Sequence, residues 1–246
     1  MADTRLDDRA LIRISPMAEN EDVRGFLQGL VTQDMALVLP DTPQWAALLS
    51  AQGKTMFDFL LWDDGTGILI DCAADVADAL IKRLSLYRLR RKIAIVAEPA
   101  LAVHWSPDAA ERPHDPRLSA LGHRWIGAPG NGGDASARWH AHRLGQGVPE
   151  GSNELGDILW LECNAMELNG VSFSKGCYVG QENTARMNWR QKVNRRIVVL
   201  PLAQSDEKRR RIDYPDLDLA VDHRRSEDLA SLAIPGWLRA SFALEK

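Results

Sequence analysis

Residues 175–182 read Lys-Gly-Cys-Tyr-Val-Gly-Gln-Glu and place a thiol between two glycines, next to a tyrosine and close to a lysine, an amide and a carboxylate. Gly176 and Gly180 permit backbone angles that other residues resist, so the chain can turn sharply here or approach a ligand closely. Lys175 places positive charge near Cys177, and such charge favours the thiolate over the thiol. The stretch therefore predicts a functional thiol on a glycine-hinged bend. The alternative interpretation is a small buried hydrophobe, the usual state of a free cysteine.

This stretch resembles the signature K-G-C-[YF]-x-G-Q-E of the YgfZ-type folate-binding proteins, and every fixed position matches. Those proteins are relatives of the glycine-cleavage aminomethyltransferase (T-protein) and assist the maturation of certain iron–sulfur enzymes. The resemblance implies a tetrahydrofolate or another folate derivative as cofactor, and transient contact with iron–sulfur client or assembly proteins. Weaker similarity to the family's segments F-x-Q-G-x-x-T-x-D, L-x-x-x-G-[KR], Y-x-L-R-x-K-V and G-[IV]-P covers residues 26–34, 49–54, 87–93 and 147–150.

The apolar pattern predicts an α+β fold. Two apolar runs, residues 55–62 and 67–72, flank a turn-forming Asp-Asp-Gly-Thr-Gly segment, which is typical of a β-hairpin. Helical spacing over residues 73–90 and a strand-like run at 93–96 follow, so helices are expected to pack on an antiparallel or mixed sheet. An amphipathic helix is predicted after a cap at Asn20. Further elements expected are a short strand at 139–144, loops over 113–137 and a strand at 195–202.

The resemblance implies three small subdomains around a central groove, the aminomethyltransferase-like folate-binding arrangement. We expect a discontinuous folate-binding subdomain in residues 1–44 plus 113–190, a ferredoxin-like α+β subdomain in residues 45–112, and a C-terminal β-barrel-like subdomain in residues 191–246. The last subdomain is predicted to be reduced because few residues follow Leu200 and they are poor in glycine, whereas family members end in a glycine-punctuated barrel.

Candidate site residues lie in three segments. The segment from Trp139 resembles a family stretch whose aromatic residue lies against folate, and a tryptophan ring suits stacking on a pterin. Arg143 would share one strand face with Trp139 and hold a ligand carboxylate, or pair with a carboxylate of the protein. A second family aromatic aligns with Arg9, which is a departure from the family. Cys177 is the predicted catalytic or otherwise functional thiol, and the predicted cofactor-binding residues are Trp139, Arg143, Gln28, Lys175, Tyr178, Gln181 and Glu182.

Gln28 is included because it lies off the apolar stripe of its helix, and Gln181 and Glu182 are expected to fix the cysteine loop through backbone hydrogen bonds. No metal site is predicted. His140 and His142 lack a nearby third ligand, and zinc requires three or four. The 3 cysteines are widely separated, which disfavours a stable cluster held by about four thiolates.

Composition narrows the class of protein. The chain has 246 residues, of which 45% are hydrophobic and 26% charged, as in an ordinary soluble globular protein. No run approaches the roughly 18 apolar residues that span a bilayer, and the first residues resemble neither a secretory signal nor a transit peptide. With cysteines that form no C-x-x-C pair, these features predict a cytoplasmic protein, and we expect a monomer.

We expect a tetrahydrofolate-binding accessory factor for the maturation or repair of iron–sulfur enzymes rather than a classical enzyme. One alternative is a folate-dependent aminomethyltransferase, which needs a carboxylate to steer proton transfer; Asp34 and Asp58 are the available acids. The other is an RNA-binding module that uses basic runs within residues 82–92 and 186–196, although the net charge of −4 counts against it. The basic runs also suit the glutamate tail of a folate, since arginine grips carboxylates bidentately.

Overall fold

The computed structural model describes residues 3–130, 132–190 and 193–243. Lys192, part of the second basic run, lies outside them. The strands are β1 Arg9–Pro16, β2 Gln44–Leu49, β3 Thr55–Asp63, β4 Ile68–Ala73, β5 Ile93–Ala97, β6 Ala102–Ser106, β7 His123–Gly127, β8 Arg195–Pro201, β9 Arg210–Tyr214 and β10 Leu219–Arg225. The helices are α1 Val23–Gln28, α2 Ala77–Arg88, α3 Ser136–Gly145, α4 Ser152–Leu155, α5 Gln181–Arg190 and α6 Gly236–Ala243.

The largest sheet has the strand order β2-β3-β4-β1-β5, and its pairs are antiparallel. The predicted hairpin is its β3–β4 pair, closed by a turn in which Asp63 accepts a hydrogen bond from the Gly65 backbone. Helix α2 packs against β1 and β5, and its Leu80 and Leu84 are fully buried in that core. Helices packed on an antiparallel sheet confirm the predicted α+β class.

The remaining strands form two smaller sheets. Strands β6 and β7 pair with each other, and the C-terminal part of the chain forms a three-stranded sheet in the order β8-β10-β9. The strand predicted at 195–202 is present as β8. Apolar residues of the smaller sheets join one core with Trp45, Trp139 and Trp160. No helix among the described residues combines the length and apolar character that crossing a bilayer requires.

The large sheet joins chain segments that the predicted division separates. Strand β1 lies in the predicted first subdomain and strands β3–β5 in the second, yet β1 pairs with both β4 and β5. The boundary expected at residue 44 therefore runs through one sheet. The three-part division remains a proposal.

Three local predictions were wrong. Helix α1 begins after Asp22, not Asn20, because the Asp22 carboxylate accepts a hydrogen bond from Gly25 N at 2.8 Å. The predicted strand at 139–144 is part of helix α3, since Trp139 N donates to Ala135 O at 2.9 Å in a helical pattern. The segment expected to be loops over 113–137 contains strand β7.

Candidate functional site

The Cys177 thiol is exposed, whereas Cys72 and Cys163 are buried. Burial raises the pKa of Cys72 to about 12 and also raises the pKa of Cys163. A thiol with a high pKa in an apolar setting forms little thiolate and reacts slowly. Cys177 is therefore the accessible thiol among the three cysteines of this sequence.

The bend that presents Cys177 depends on one of its two glycines. Gly180 has a φ of +82°, and a Cβ atom there would lie 2.5 Å from the Ser50 carbonyl oxygen. Gly176 has no such requirement, because a Cβ atom there would meet nothing within 4 Å. The bend therefore rests closely on the turn at residues 50–53, and Asn183 Nδ2 adds a 2.6 Å hydrogen bond to Gln52 O.

Lys175 fastens this bend from the other side. Its buried Nζ donates to the carbonyl oxygens of Val31 and Gln33 at 2.6 and 2.8 Å and lies 5.0 Å from the centre of the Tyr178 ring. Burial lowers the pKa of Lys175 to about 8, although the Asp34 carboxylate opposes the shift. The ammonium thus ties the cysteine stretch to the segment after α1, a role that its place in the sequence does not reveal.

The other predicted residues of this region are structural or exposed. Gln28 donates to Asp34 Oδ1 at 3.1 Å and accepts from Met35 N at 2.8 Å, so its amide shapes the residue 28–35 turn. Tyr178 is buried in the core. Gln181 and Glu182 form the first turn of α5, and the Glu182 carboxylate pairs with Arg186, with its side chain 85% exposed. Glu182 is thus a surface residue, and Asn183 rather than Glu182 makes the side-chain bond across to residue 52.

Trp139 and Arg143 lie together in the wall of a separate cleft of about 390 Å³. Helix α3, residues 150–154 and strand β9 form much of that wall. Neither Cys177 nor its neighbours in residues 175–182 contribute to it. The structure therefore divides the predicted site into this cleft and the cysteine bend. The cleft is lined by Asp8, Arg9, Ala73, Ala74, Asp75, Trp139, His140, Arg143, Glu150, Gly151, Ser152, Asn153, Glu154, Ile212 and Tyr214.

Trp139 is more deeply buried than a stacking platform would be. Its side chain is 1% exposed, and its Nε1 donates to Glu150 Oε1 at 3.3 Å. The guanidinium carbons of Arg117 and Arg124 lie 5.5 and 5.1 Å from its ring centre, within the range of cation–π attraction. The ring therefore supports the cleft wall. Tyr214 is the more accessible aromatic residue of the lining.

Arg143 is held by the protein itself. Its Nη1 and Nη2 donate to the two carboxylate oxygens of buried Glu154 at 2.9 and 2.8 Å, and Nη1 also donates to Val148 O at 2.7 Å. Its buried Nε has no hydrogen-bond partner among the described residues. Arg143 therefore follows the second of the two predicted roles, pairing with a carboxylate of the protein, and keeps one donor free.

Behind the cleft lies a buried charge cluster that the sequence did not reveal. Arg9 contacts Asp71 at 2.7 Å and Glu150 at 3.2 Å, Arg117 contacts Glu150 at 2.5 Å, and Arg124 contacts Asp71 at 2.9 Å. Burial alone would raise the pKa of Glu150, but the surrounding guanidiniums outweigh it and hold that pKa well below its usual range. The one sign of this cluster in the sequence was Arg9, which stands where the family resemblance leads one to expect an aromatic residue.

Asp58 and the histidines complete the candidates. Asp58 is buried and accepts hydrogen bonds from Gly151 N at 3.0 Å and Trp45 Nε1 at 3.3 Å; burial raises its pKa, and Glu150 adds to the shift. His140 packs edge-on against Tyr214, while His142 Nε2 lies 2.9 Å from Ala120 O. No group of metal-ligating side chains occurs in the part of the chain that the structure describes.

The chain is similar in sequence to proteins named as iron–sulfur cluster assembly factors. The human and mouse mitochondrial iron–sulfur cluster assembly factors IBA57 are 36% and 33% identical to it, over 78% and 80% of this chain. A Neurospora crassa homologue of that factor is 31% identical over 79% of the chain. The aligned region spans 64% of the human protein and 65% of the mouse protein, less than two thirds of each. No protein-family model matches the chain.

The fold is that of an aminomethyltransferase. The crystal structure of the glycine cleavage system aminomethyltransferase T from Bartonella henselae superposes with a TM-score of 0.63 and 15% identity, covering 92% of this chain and 79% of that one. The predicted aminomethyltransferase-like fold is thereby confirmed.

The expectation of a cytoplasmic protein was wrong. The human, mouse and Neurospora relatives are all named as mitochondrial proteins. The expectation rested partly on scattered cysteines, which disfavour an oxidising compartment but do not distinguish one reducing compartment from another. Over 78% of its length the chain is similar to the human IBA57 iron–sulfur cluster assembly factor, and its fold is that of the aminomethyltransferase.

Proposed function

We propose that this protein is a tetrahydrofolate-binding accessory factor for the maturation or repair of iron–sulfur enzymes, with Cys177 as its functional thiol. The observation that carries the proposal is the exposure of Cys177 on its bend, while Cys72 and Cys163 are buried. The names of the relatives supply the iron–sulfur context. An accessible thiolate can serve as a transient ligand to iron. Iron–sulfur client or assembly proteins are the proposed transient partners, and the protein is proposed to act as a monomer.

The cleft beside Trp139 fits the pterin end of a folate. Its volume of about 390 Å³ lies within the range of small-molecule sites. Tyr214 and His140 offer aromatic surface to the cleft. The carboxylates of Asp8 and Asp75 line the same cleft and can accept from pterin amino groups. A bound tetrahydrofolate would supply a reduced ring that carries one-carbon units.

The fit favours the pterin over the glutamate tail. Arg9 and Arg143 are the guanidiniums of the lining, and both are already bound to carboxylates of the protein. We therefore propose Trp139 and Arg143 as supports of the pterin site. Five other residues were also predicted to bind the cofactor. We propose that they surround or belong to the cysteine stretch and do not contact the pterin: Gln28, Lys175, Tyr178, Gln181 and Glu182.

Folate binding is tested by titrating tetrahydrofolate into the protein and following tryptophan fluorescence and calorimetric heat. Tyr214→Ala removes the accessible ring and is expected to weaken binding by about tenfold, the equivalent of one lost aromatic contact. Trp237→Phe, outside the cleft lining, is the control for altered fluorescence. Saturable binding that Tyr214→Ala leaves unchanged would place the folate elsewhere, and no binding by the wild type would remove the cofactor.

The thiol is tested by complementation. Cells that lack their own relative of this protein are supplied with the wild type, Cys177→Ser or Glu182→Gln, and the activity of an iron–sulfur enzyme is measured. Cys177→Ser is expected not to restore the enzyme activity. Glu182→Gln changes an exposed side chain in the same stretch and is expected to restore it. Full rescue by Cys177→Ser would exclude the proposed role of the thiol.

A folate-dependent aminomethyltransferase remains the second candidate because of Asp58. This buried carboxyl lies one hydrogen bond from Gly151 of the cleft lining, and its raised pKa suits a group that exchanges protons. One-carbon transfer to tetrahydrofolate that survives Cys177→Ser and is lost in Asp58→Asn would favour this candidate over the accessory factor.

A further inference from the structure

One end of the large sheet carries a surface of exposed aliphatic and basic side chains that the proposed function does not use. Leu89, Met17 and Leu86 are 85%, 67% and 63% exposed, values well above those of most large hydrophobic residues in the protein. Exposed Lys82, Arg90 and Lys92 lie among them. We call this the Leu89 surface, and it consists of Met17, Lys82, Leu86, Leu89, Arg90 and Lys92.

The backbone brings these residues together. Lys82 and Leu86 are four residues apart in α2 and share one face of the helix, which ends at Arg88. Leu89 follows with a φ of +52° and a ψ of −116°, angles that favour glycine. Met17 N donates to Lys92 O at 2.8 Å, which places the end of β1 beside the segment after α2. This position therefore holds an exposed leucine, although its backbone angles would suit glycine better.

The neighbouring cations separate into two groups. Arg91 is held by Glu21 at 2.6 Å, and Arg88 donates to Ile93 O at 3.1 Å, so both help to build the turn. Lys82, Arg90 and Lys92 form no ion pair among the described residues. The acidic side chains near this surface are exposed Glu19 and Asp78, together with Glu21 and Asp22 at the start of α1. From Leu86 to Lys92, however, the chain carries four cations and no acid, so the charge that flanks Leu89 is basic.

We propose that the Leu89 surface docks on an anionic lipid bilayer, with Leu86, Leu89 and Met17 entering the interface and the three cations facing the headgroups. Aliphatic side chains gain free energy on leaving water for acyl chains, and basic side chains are attracted by anionic headgroups. Charge complementarity favours an anionic over a zwitterionic surface. RNA fits less well, because the most exposed apolar groups are aliphatic and cannot stack on bases as aromatic rings do.

The proposal is tested by flotation with vesicles of phosphatidylcholine alone and vesicles that also contain phosphatidylglycerol. The wild type is expected to bind only the second kind, with affinity that falls as salt rises. Arg90→Glu with Lys92→Glu is expected to weaken binding by about tenfold or more. Leu89→Gly is expected to weaken it by about tenfold and to leave the fold intact, because glycine suits the backbone angles at this position.

Two matched controls distinguish binding through this surface from nonspecific binding of vesicles. Leu37→Ser with Leu39→Ser removes two leucines that are 49% and 52% exposed elsewhere, and Lys208→Glu reverses an exposed charge elsewhere. Both are expected to bind vesicles as the wild type does. Equal binding to both kinds of vesicle, unchanged binding by Leu89→Gly, or displacement of the vesicles by a short RNA would each overturn the proposal.

Discussion

The guanidinium of Arg143 and the carboxylate of Glu154 form a two-point ion pair, with Nη1–Oε2 at 2.9 Å and Nη2–Oε1 at 2.8 Å. Both side chains are buried. Glu154 also accepts hydrogen bonds from Glu150 N at 2.9 Å and from the Tyr214 hydroxyl at 2.7 Å. The pair thus connects α3, the segment before α4, and β9, three elements that line the same cleft.

Arg143→Ala is expected to destabilise the protein by about 3–5 kcal/mol, because the change leaves the Glu154 charge buried without its partner. The measurement is urea unfolding followed by circular dichroism. Arg186→Ala is the matched control, since the Arg186–Glu182 pair is exposed and its loss should cost less than about 1 kcal/mol. Unchanged stability of Arg143→Ala together with lost folate binding would make Arg143 a ligand contact instead of a structural pair.

Lys175 should make stability rise with pH in the alkaline range. The unfolded chain holds the lysine proton up to a pKa of 10.5, but the folded chain holds it only up to about 8. Between these values the unfolded state binds more protons, so the free energy of unfolding increases with pH. The stability of the wild type relative to Lys175→Met is therefore expected to increase as the pH rises from about 8 to 10.5. A difference that stays constant over this range would show that burial does not lower the pKa of this lysine.

Gly180→Ala and Gly176→Ala should differ sharply although both glycines flank the same thiol. At Gly180 the positive φ and the close Ser50 carbonyl oxygen should cost about 2 kcal/mol or more. At Gly176 the added methyl group meets open space, so the effect should stay within about 0.5 kcal/mol. Thermal unfolding of the two variants distinguishes them. Equal losses would mean that the bend depends on both glycines.

Alkylation should select Cys177. Iodoacetamide added to the folded protein near neutral pH is expected to modify Cys177 and to spare Cys72 and Cys163, which are buried and have raised pKa values. Mass spectrometry of tryptic peptides identifies the modified sites, and the urea-unfolded protein, in which all three should react, is the control. Rapid labelling of Cys72 or Cys163 in the folded protein would contradict the described burial.

The sequence predicted local structure well where that structure depends on residues that are close together in the chain. The apolar runs around the Asp-Asp-Gly-Thr-Gly turn predicted the β3–β4 hairpin, because alternation and turn chemistry act between near neighbours. The same reasoning failed for Trp139 and Arg143, whose spacing of four residues suits a strand face and a helix face alike. Only the hydrogen bond from Trp139 N to Ala135 O, in the folded chain, decides for the helix.

The sequence alone indicated the functional-thiol stretch at residues 175–182, the α+β class and the similarity to iron–sulfur assembly factors, since these rest on residue identity and short spacing. Only the folded chain shows that the Cys177 thiol is exposed and not buried. Tertiary structure decided what its charged residues do. Arg9 meets Asp71, Lys175 meets the carbonyl of Val31, and both contacts join residues far apart in the chain. Burying a charge costs its hydration free energy unless a partner group replaces the lost water contacts. Which group becomes the partner depends on how distant segments pack together, and a local sequence pattern does not specify that packing.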